Sequence, residues 1–154
     1  MEASRAALQE VGLAELRQDG DVVTSRYIPI TAEESDDFVL RYRDGNILHR
    51  DDAVAQGYGF KMRIAPAALI FAKALGLAYE LGLTDNAIFT SVGLNFQLAV
   101  YPADMICVQI MLLKTVKTYS RLNRRKVTIR DEVIKHGGGI VQTGEWTGTL
   151  PIAA

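Results

Sequence analysis

A carboxylate and an imidazole five residues apart are the first feature of this sequence with chemical content. They lie in Tyr42-Arg43-Asp44-Gly45-Asn46-Ile47-Leu48-His49, with the turn-forming residues Gly45 and Asn46 between them. Further on, Arg63-Ile64-Ala65-Pro66-Ala67-Ala68 opens the most apolar segment of the chain. Its proline suits the first turn of a helix, where it leaves no N–H unpaired. A carboxylate and a neutral imidazole can move protons near neutral pH. The free N–H groups of a helix end can hold a developing oxyanion. Together these features suit chemistry at a carbonyl. The competing reading is structural: Asp44 and Asn46 make side-chain turns, and His49 is a satisfied polar residue. Under either reading Asn46 orders the turn rather than reacting.

The elements that must hold these residues are readable around them. Val22 to Ile30 has the β-branched content and alternation of a strand. Thr31-Ala32-Glu33-Glu34 is a capping box, and the helix it starts, with Phe38, Val39 and Tyr42 as its apolar face, delivers the chain to Asp44. Asp51 to Gln56 predicts a further helical turn. Ala67 to Leu81 is apolar almost all round, apart from Lys73 and Glu80, so this helix must be wrapped on most sides. Gly82 is placed to end it. Everything after that reads as strand: Ile88 to Leu98, Met105 to Thr118, Lys126 to Lys135 and Ile140 to Leu150. They are joined by turns at Tyr101–Asp104, Leu122–Arg125 and His136–Gly139. Short connections imply an antiparallel sheet, and the economical packing curls it around the one long helix. The fold class is therefore α+β. Ser4 to Arg17 reads as a short helix or arm, so residues 1–21 precede a single domain within 1–154.

Composition narrows the function. The formal net charge of -1 argues against nucleic acid as a partner. The one cysteine, Cys107, excludes an intramolecular disulfide and a cysteine-based zinc site, and with two histidines no metal constellation forms. The N-terminus lacks the apolar core of a signal peptide, and the run from Ile64 to Gly82 is broken by charges, so it is read as buried rather than membrane-spanning. A cytoplasmic protein is expected. Cys107 falls in a predicted strand and is assigned to the core. Trp146 is assigned to the core or to an interface, and His136 to its glycine turn.

The stretch Asp44-Gly45-Asn46-Ile47-Leu48-His49 resembles the hydratase motif of the MaoC-like, R-specific enoyl-CoA hydratases and dehydratases, whose pattern is Asp-x-Asn-Pro-aliphatic-His. Tyr42, Asp51, Ala53, Gly59-Phe60, the apolar helix, Asn95-Phe96, Pro102-Ala103-Asp104 and Thr143-Gly144-Glu145 extend the likeness over about Val22 to Ile152. The resemblance implies a hot dog fold, an antiparallel sheet wrapped around a long central helix. It also implies a homodimer, an acyl thioester substrate on coenzyme A or acyl carrier protein, and no further cofactor. It makes Asp44 and His49 the catalytic pair and the Ala67 N–H the oxyanion donor. Three positions depart from the pattern. Arg43 replaces a glycine, Ile47 a proline, and Pro66-Ala67 a His-Gly pair.

The function expected first is a hydro-lyase: hydration of a 2-enoyl thioester or dehydration of a 3-hydroxyacyl thioester. A second reading uses the same pair for isomerisation or cyclisation of a polyketide-like substrate, as the three departures suggest. A third makes the chain a non-catalytic subunit. Arg124 and Arg125, in a charged turn, are candidates to meet coenzyme A phosphates.

Overall fold

The structure is a computed structural model that describes residues 18–83, 86–117 and 124–151. The expected helix over Ser4–Arg17 lies outside them, as do Thr118, Leu122, Asn123 and Ile152. The elements, in chain order, are β1 (Val22–Thr24), β2 (Ile28–Pro29), α1 (Ala32–Tyr42), a 3-10 turn (Ile47–His49), α2 (Asp52–Gly57), α3 (Ala67–Glu80), β3 (Ile88–Phe96), β4 (Met105–Lys117), β5 (Arg124–Lys135) and β6 (Ile140–Pro151). The strands form one antiparallel sheet in the order β1-β4-β5-β6-β3, with β2 also on β4. Register shifts in the β3–β6, β4–β5 and β5–β6 pairs add the local twist that lets such a sheet curl. This is the hot dog fold, with α3 as the helix inside.

The helices begin and end where their sequences direct. The Thr31 hydroxyl accepts from the Glu34 N–H at 3.1 Å, and the Glu34 carboxylate accepts from the Thr31 N–H at 3.1 Å. At the end of α3, Gly82 takes a φ of 76°, its N–H reaches the Tyr79 carbonyl and the Leu83 N–H reaches the Ala78 carbonyl. That pairing is a Schellman motif, closed by the buried Leu83 against Ala78. The two charges on α3 hold neighbours: Lys73 pairs with Glu34 of α1, and Glu80 with Arg26 at 2.8 Å.

Two expectations are corrected. The strand expected over Val22–Ile30 is two short pieces. Between them the Ser25 Oγ takes the Val108 N–H at 2.9 Å, so a side chain stands in for a ladder carbonyl. Arg124 and Arg125 belong to β5 rather than to a turn. As expected, α3 is wrapped on most sides: Leu69, Ile70, Ala74, Leu77 and Ala78 are buried and Phe71, Lys73 and Leu75 half-buried, and only the stripe of Ala68, Ala72, Gly76, Tyr79 and Glu80 is exposed.

The core lies between the buried face of α3 and the concave face of β4, β5 and β6. Ile106, Val108, Ile110, Leu112, Val127, Ile129 and Val133 fill it, and Trp146 stands edge-on to Phe71 and Phe89. Cys107 is buried as well. Among the described residues no helix is long and apolar enough to cross a membrane.

Candidate active site

The position of Asp44 is set by the end of α1. Arg43 sits in the left-handed region at φ 53°, its N–H reaches the Leu40 carbonyl, and the Asp44 N–H reaches the Val39 carbonyl at 3.0 Å. This second Schellman arrangement reverses the chain and brings Asp44 back over the helix end. Asp44 Oδ1 then accepts from the Asn46 N–H at 3.0 Å, and Asn46 Oδ1 accepts from the Leu48 N–H at 3.1 Å. Two successive side-chain turns thus carry the backbone into the 3-10 turn that ends at His49.

His49 is nearly buried, and its orientation is determined by the chain that precedes α3. Its Nδ1 lies 2.9 Å from the Ile64 carbonyl oxygen. A carbonyl only accepts, so Nδ1 carries the proton and the neutral ring presents a lone pair at Nε2. The Ile64 N–H in turn donates to the Leu48 carbonyl, and the Ala65 N–H donates to the Val100 carbonyl at 2.7 Å. The segment that grips His49 is therefore pinned both to the 3-10 turn and to the loop between β3 and β4.

Nε2 faces two groups. Asn46 Nδ2 is 3.4 Å away, aimed there because Oδ1 of the same amide is held by Leu48. Asp44 Oδ2 is 3.7 Å away. That gap is too long for a direct hydrogen bond and short enough for one water oxygen to touch both atoms. A lone pair on nitrogen and a carboxylate oxygen, converging on one point, can take a proton from water and return one to carbon.

His49 and Asn46 form part of the wall of a cavity of about 340 Å³. The rest of that wall is chiefly apolar: Phe60, Ile64, Ala65, Ala67, Ile70, Phe96, Leu98, Ala99, Val100 and Val141, with Gln97. This is the size and lining of a small-molecule site. Ala67, the first residue of α3, faces this cavity with His49. The first carbonyl-bonded N–H groups of the helix are those of Leu69 and Ile70, both to Pro66; among the described residues the Ala67 and Ala68 N–H groups have no acceptor. Asp44 stands at the outer side of the loop, about a third exposed, where it also walls a second concavity with Arg43, Arg50 and Arg63.

The structure therefore places Asp44 and Asn46 against His49, and sets Asn46, His49 and Ala67 around one cavity. It does not bring Arg124 and Arg125 to them. The cavity meets the sheet at Val141, opposite the last residues of β5, whereas the two arginines begin that strand. Ten positions of strand separate them, roughly 30 Å at about 3.3 Å per residue. Arg124 is engaged there, its Nε donating to Thr149 Oγ1 at 2.8 Å and its Nη2 to the Thr149 carbonyl at 2.8 Å. Burial pushes the Arg125 guanidinium pKa down. His136 stacks edge-on against Tyr27, away from the cavity lining. Reading the sequence missed Ile64, whose contribution is a main-chain oxygen and so leaves no side-chain signal. It also missed the run Gln97 to Val100. No group of three or more metal-ligating side chains occurs among the described residues.

Comparison with known proteins gives a fold-level match. A scan of protein-family models and a search of curated proteins match nothing. Among solved structures, the MaoC-like dehydratase from Rhodospirillum rubrum superposes with a TM-score of 0.80 at 21% identity, over 90% of this chain and 95% of that one. The (R)-hydratase from A. caviae involved in PHA biosynthesis gives 0.72 at 22%, over 88% and 98%. The HadBC (3R-hydroxyacyl-ACP dehydratase) complex from Mycobacterium tuberculosis gives 0.71 at 13%, over 88% and 99%. The chain thus shares the hot dog fold of MaoC-like hydratases and dehydratases.

Proposed function

We propose that the protein is a hydro-lyase acting on acyl thioesters, hydrating a 2-enoyl thioester or dehydrating a 3-hydroxyacyl thioester. The observation that carries this reading is the facing of Asp44 Oδ2 and His49 Nε2 across 3.7 Å, with the imidazole tautomer set by the Ile64 carbonyl. The acyl chain occupies the apolar cavity. The thioester oxygen points at the Ala67 N–H, where the α3 dipole adds positive potential. A water held between Asp44 and His49 gives its hydroxyl to Cβ and one proton to the pair. The electron pair of the double bond moves toward the thioester, its charge resting on the oxygen at Ala67. Collapse of that enolate takes a proton from the pair at Cα, so one water is added and the pair is restored. Dehydration is the same path reversed. Asn46 positions His49 by its amide and does not exchange protons.

The methyl group of Ala67 in the cavity wall favours keeping a second reading, isomerisation or cyclisation of a bulkier acyl substrate by the same pair. Both readings predict that Asp44→Asn and His49→Ala each lower turnover by roughly 10²-fold or more, while the melting temperature moves little. Steady-state rates and thermal unfolding of the two variants test this. Loss of the fold with unchanged activity per folded molecule would make the residues structural.

A further inference from the structure

Arg63 stands one residue ahead of the carbonyl that fixes the His49 ring, and the proposed reaction gives its side chain no part. Its guanidinium makes a two-pronged pair with Asp36 of α1: Nη1 donates to Oδ1, and Nη2 donates to Oδ2 at 3.1 Å. Its main-chain N–H donates to Asp52 Oδ1, at the first residue of α2, at 2.9 Å. Asp51 Oδ1 caps α2 by accepting from the Val54 N–H, which leaves the Asp52 carboxylate to hold the segment before α3. Next along the chain, the Ile64 N–H donates to the Leu48 carbonyl and the Ala65 N–H to the Val100 carbonyl. The N–H groups of Arg63, Ile64 and Ala65 are thus bound to three different parts of the chain.

The pair with Asp36 adds a hold on the other member of the acid/base couple. α1 carries Asp36, and its end, capped by Arg43, delivers Asp44. The element that bears the carboxylate and the segment that grips the imidazole therefore meet at Arg63. Asp36, Arg63 and Asp44 wall the same concavity of about 500 Å³. The Arg63 side chain is 23% exposed and that of Asp36 53%, and an ion pair so placed contributes little to stability. A planar guanidinium bound by both carboxylate oxygens does, however, fix direction as well as distance. We infer that Arg63 is a positioning residue for the acid/base pair. Bound to Asp36 and Asp52, it keeps the Ile64 carbonyl on His49 Nδ1 and keeps Asp44 Oδ2 at 3.7 Å from Nε2. The inference rests on the reading of Asp44 and His49 as the reacting pair and adds what sets their spacing. Without the guanidinium the Ile64 carbonyl is free to turn from the ring. The neutral imidazole then populates both tautomers, and an Nε2 that carries hydrogen has no lone pair for water.

The test has a readout that needs no substrate. His49 and His136 are the two histidines of the chain, so nitrogen NMR of the isotope-labelled imidazoles gives two sets of ring signals, and His49→Ala identifies its own. At about pH 8, above the ordinary imidazole range, the wild type is expected to show His49 protonated at Nδ1. In Arg63→Met and in Asp36→Ala the two His49 nitrogen shifts should move toward each other as the tautomers mix. Arg63→Lys, which keeps a charged bond to Asp36, should recover part of the difference. On a short enoyl thioester the first two variants should lose about 10-fold in kcat, as a small misplacement of reacting groups does, with the melting temperature within a few degrees of wild type. KM should stay within about twofold. His49 signals and kcat that match wild type in Arg63→Met would overturn the inference. A lower melting temperature with unchanged His49 signals would overturn it too, since that is the mark of a merely structural pair. Should Arg63→Met not fold, Asp36→Ala, which alters an exposed carboxylate of α1, gives the same reading. An enoyl thioester that the wild type leaves unchanged overturns the hydratase reading alone, and the ring signals of the variants then decide the role of Arg63.

Discussion

Arg43 shapes the Asp44–His49 loop through its backbone. It takes the left-handed conformation that closes α1 and returns Asp44 over the helix end. For a residue with a Cβ that conformation costs on the order of 1 kcal/mol. Arg43→Gly is therefore expected to raise the urea midpoint slightly, by an equivalent of up to about 0.5 kcal/mol after the greater freedom of glycine in the unfolded chain is allowed for. An unchanged or lower midpoint would mean that the guanidinium makes a stabilising contact of greater worth. At this scale the Asp44–His49 spacing was legible in the sequence because turn residues and two chemical groups stood close together. The hand that fixes the imidazole was not legible, since Ile64 offers only its carbonyl and lies 15 residues further along the chain. Position 43 carried half a signal: the departure from glycine was visible, and its φ was not.

At the scale of elements, the sequence announced those with local causes. Thr31 and Glu34 start α1, Pro66 precedes α3, Gly82 ends it, and alternation marks β3 to β6. What stayed hidden depended on partners distant in sequence. The break at Ser25 is made by Val108, and the β5 strand begins at Arg124 because β6 pairs with it there. The buried side of the sheet held another surprise, Asp131, which alternation alone would assign to an apolar residue. It accepts from Trp146 Nε1 at 2.8 Å and from Gln142 Nε2 at 3.3 Å, under Gly144, where a Cβ would lie 1.9 Å from its Oδ1. Burial raises its pKa, outweighing the lowering effect of the Trp146 and Gln142 hydrogen bonds. A carboxyl with a higher pKa folded than unfolded contributes its full stability below the unfolded value of about 3.9. That contribution is lost as pH rises through the raised folded value. Asp131→Asn cannot ionise, and its amide can donate to Gln142 Oε1, which has no hydrogen-bond partner among the described residues. The variant's urea midpoint should therefore gain on the wild type as pH rises from about 4 to 8. A difference that stays constant across that range would mean Asp131 titrates alike in both states.

The whole molecule leaves two surfaces open that a single chain does not close. β3 is the edge of the sheet, nine residues long, with Ile88, Val92 and Phe96 exposed along it. A long apolar edge tends to pair with another strand. Beside it, Phe96 and Leu98 line the apolar cavity while about half exposed to solvent, so that wall is thin without a neighbour. A homodimer joined near β3 is expected by light scattering at micromolar concentration, and Val92→Lys should shift it toward monomer. A wild type that scatters only as a monomer would argue against this assembly. One assay tests the hydration chemistry directly. Purified wild-type protein is mixed with crotonyl-CoA and the enoyl absorbance is followed, with the Asp44→Asn and His49→Ala variants alongside. The absorbance is expected to fall with the wild type, to the same equilibrium position reached from 3-hydroxybutyryl-CoA, and to fall far more slowly with either variant. An absorbance that stays constant with wild type, on this substrate and on longer enoyl thioesters, would contradict the assignment of this pair to hydration.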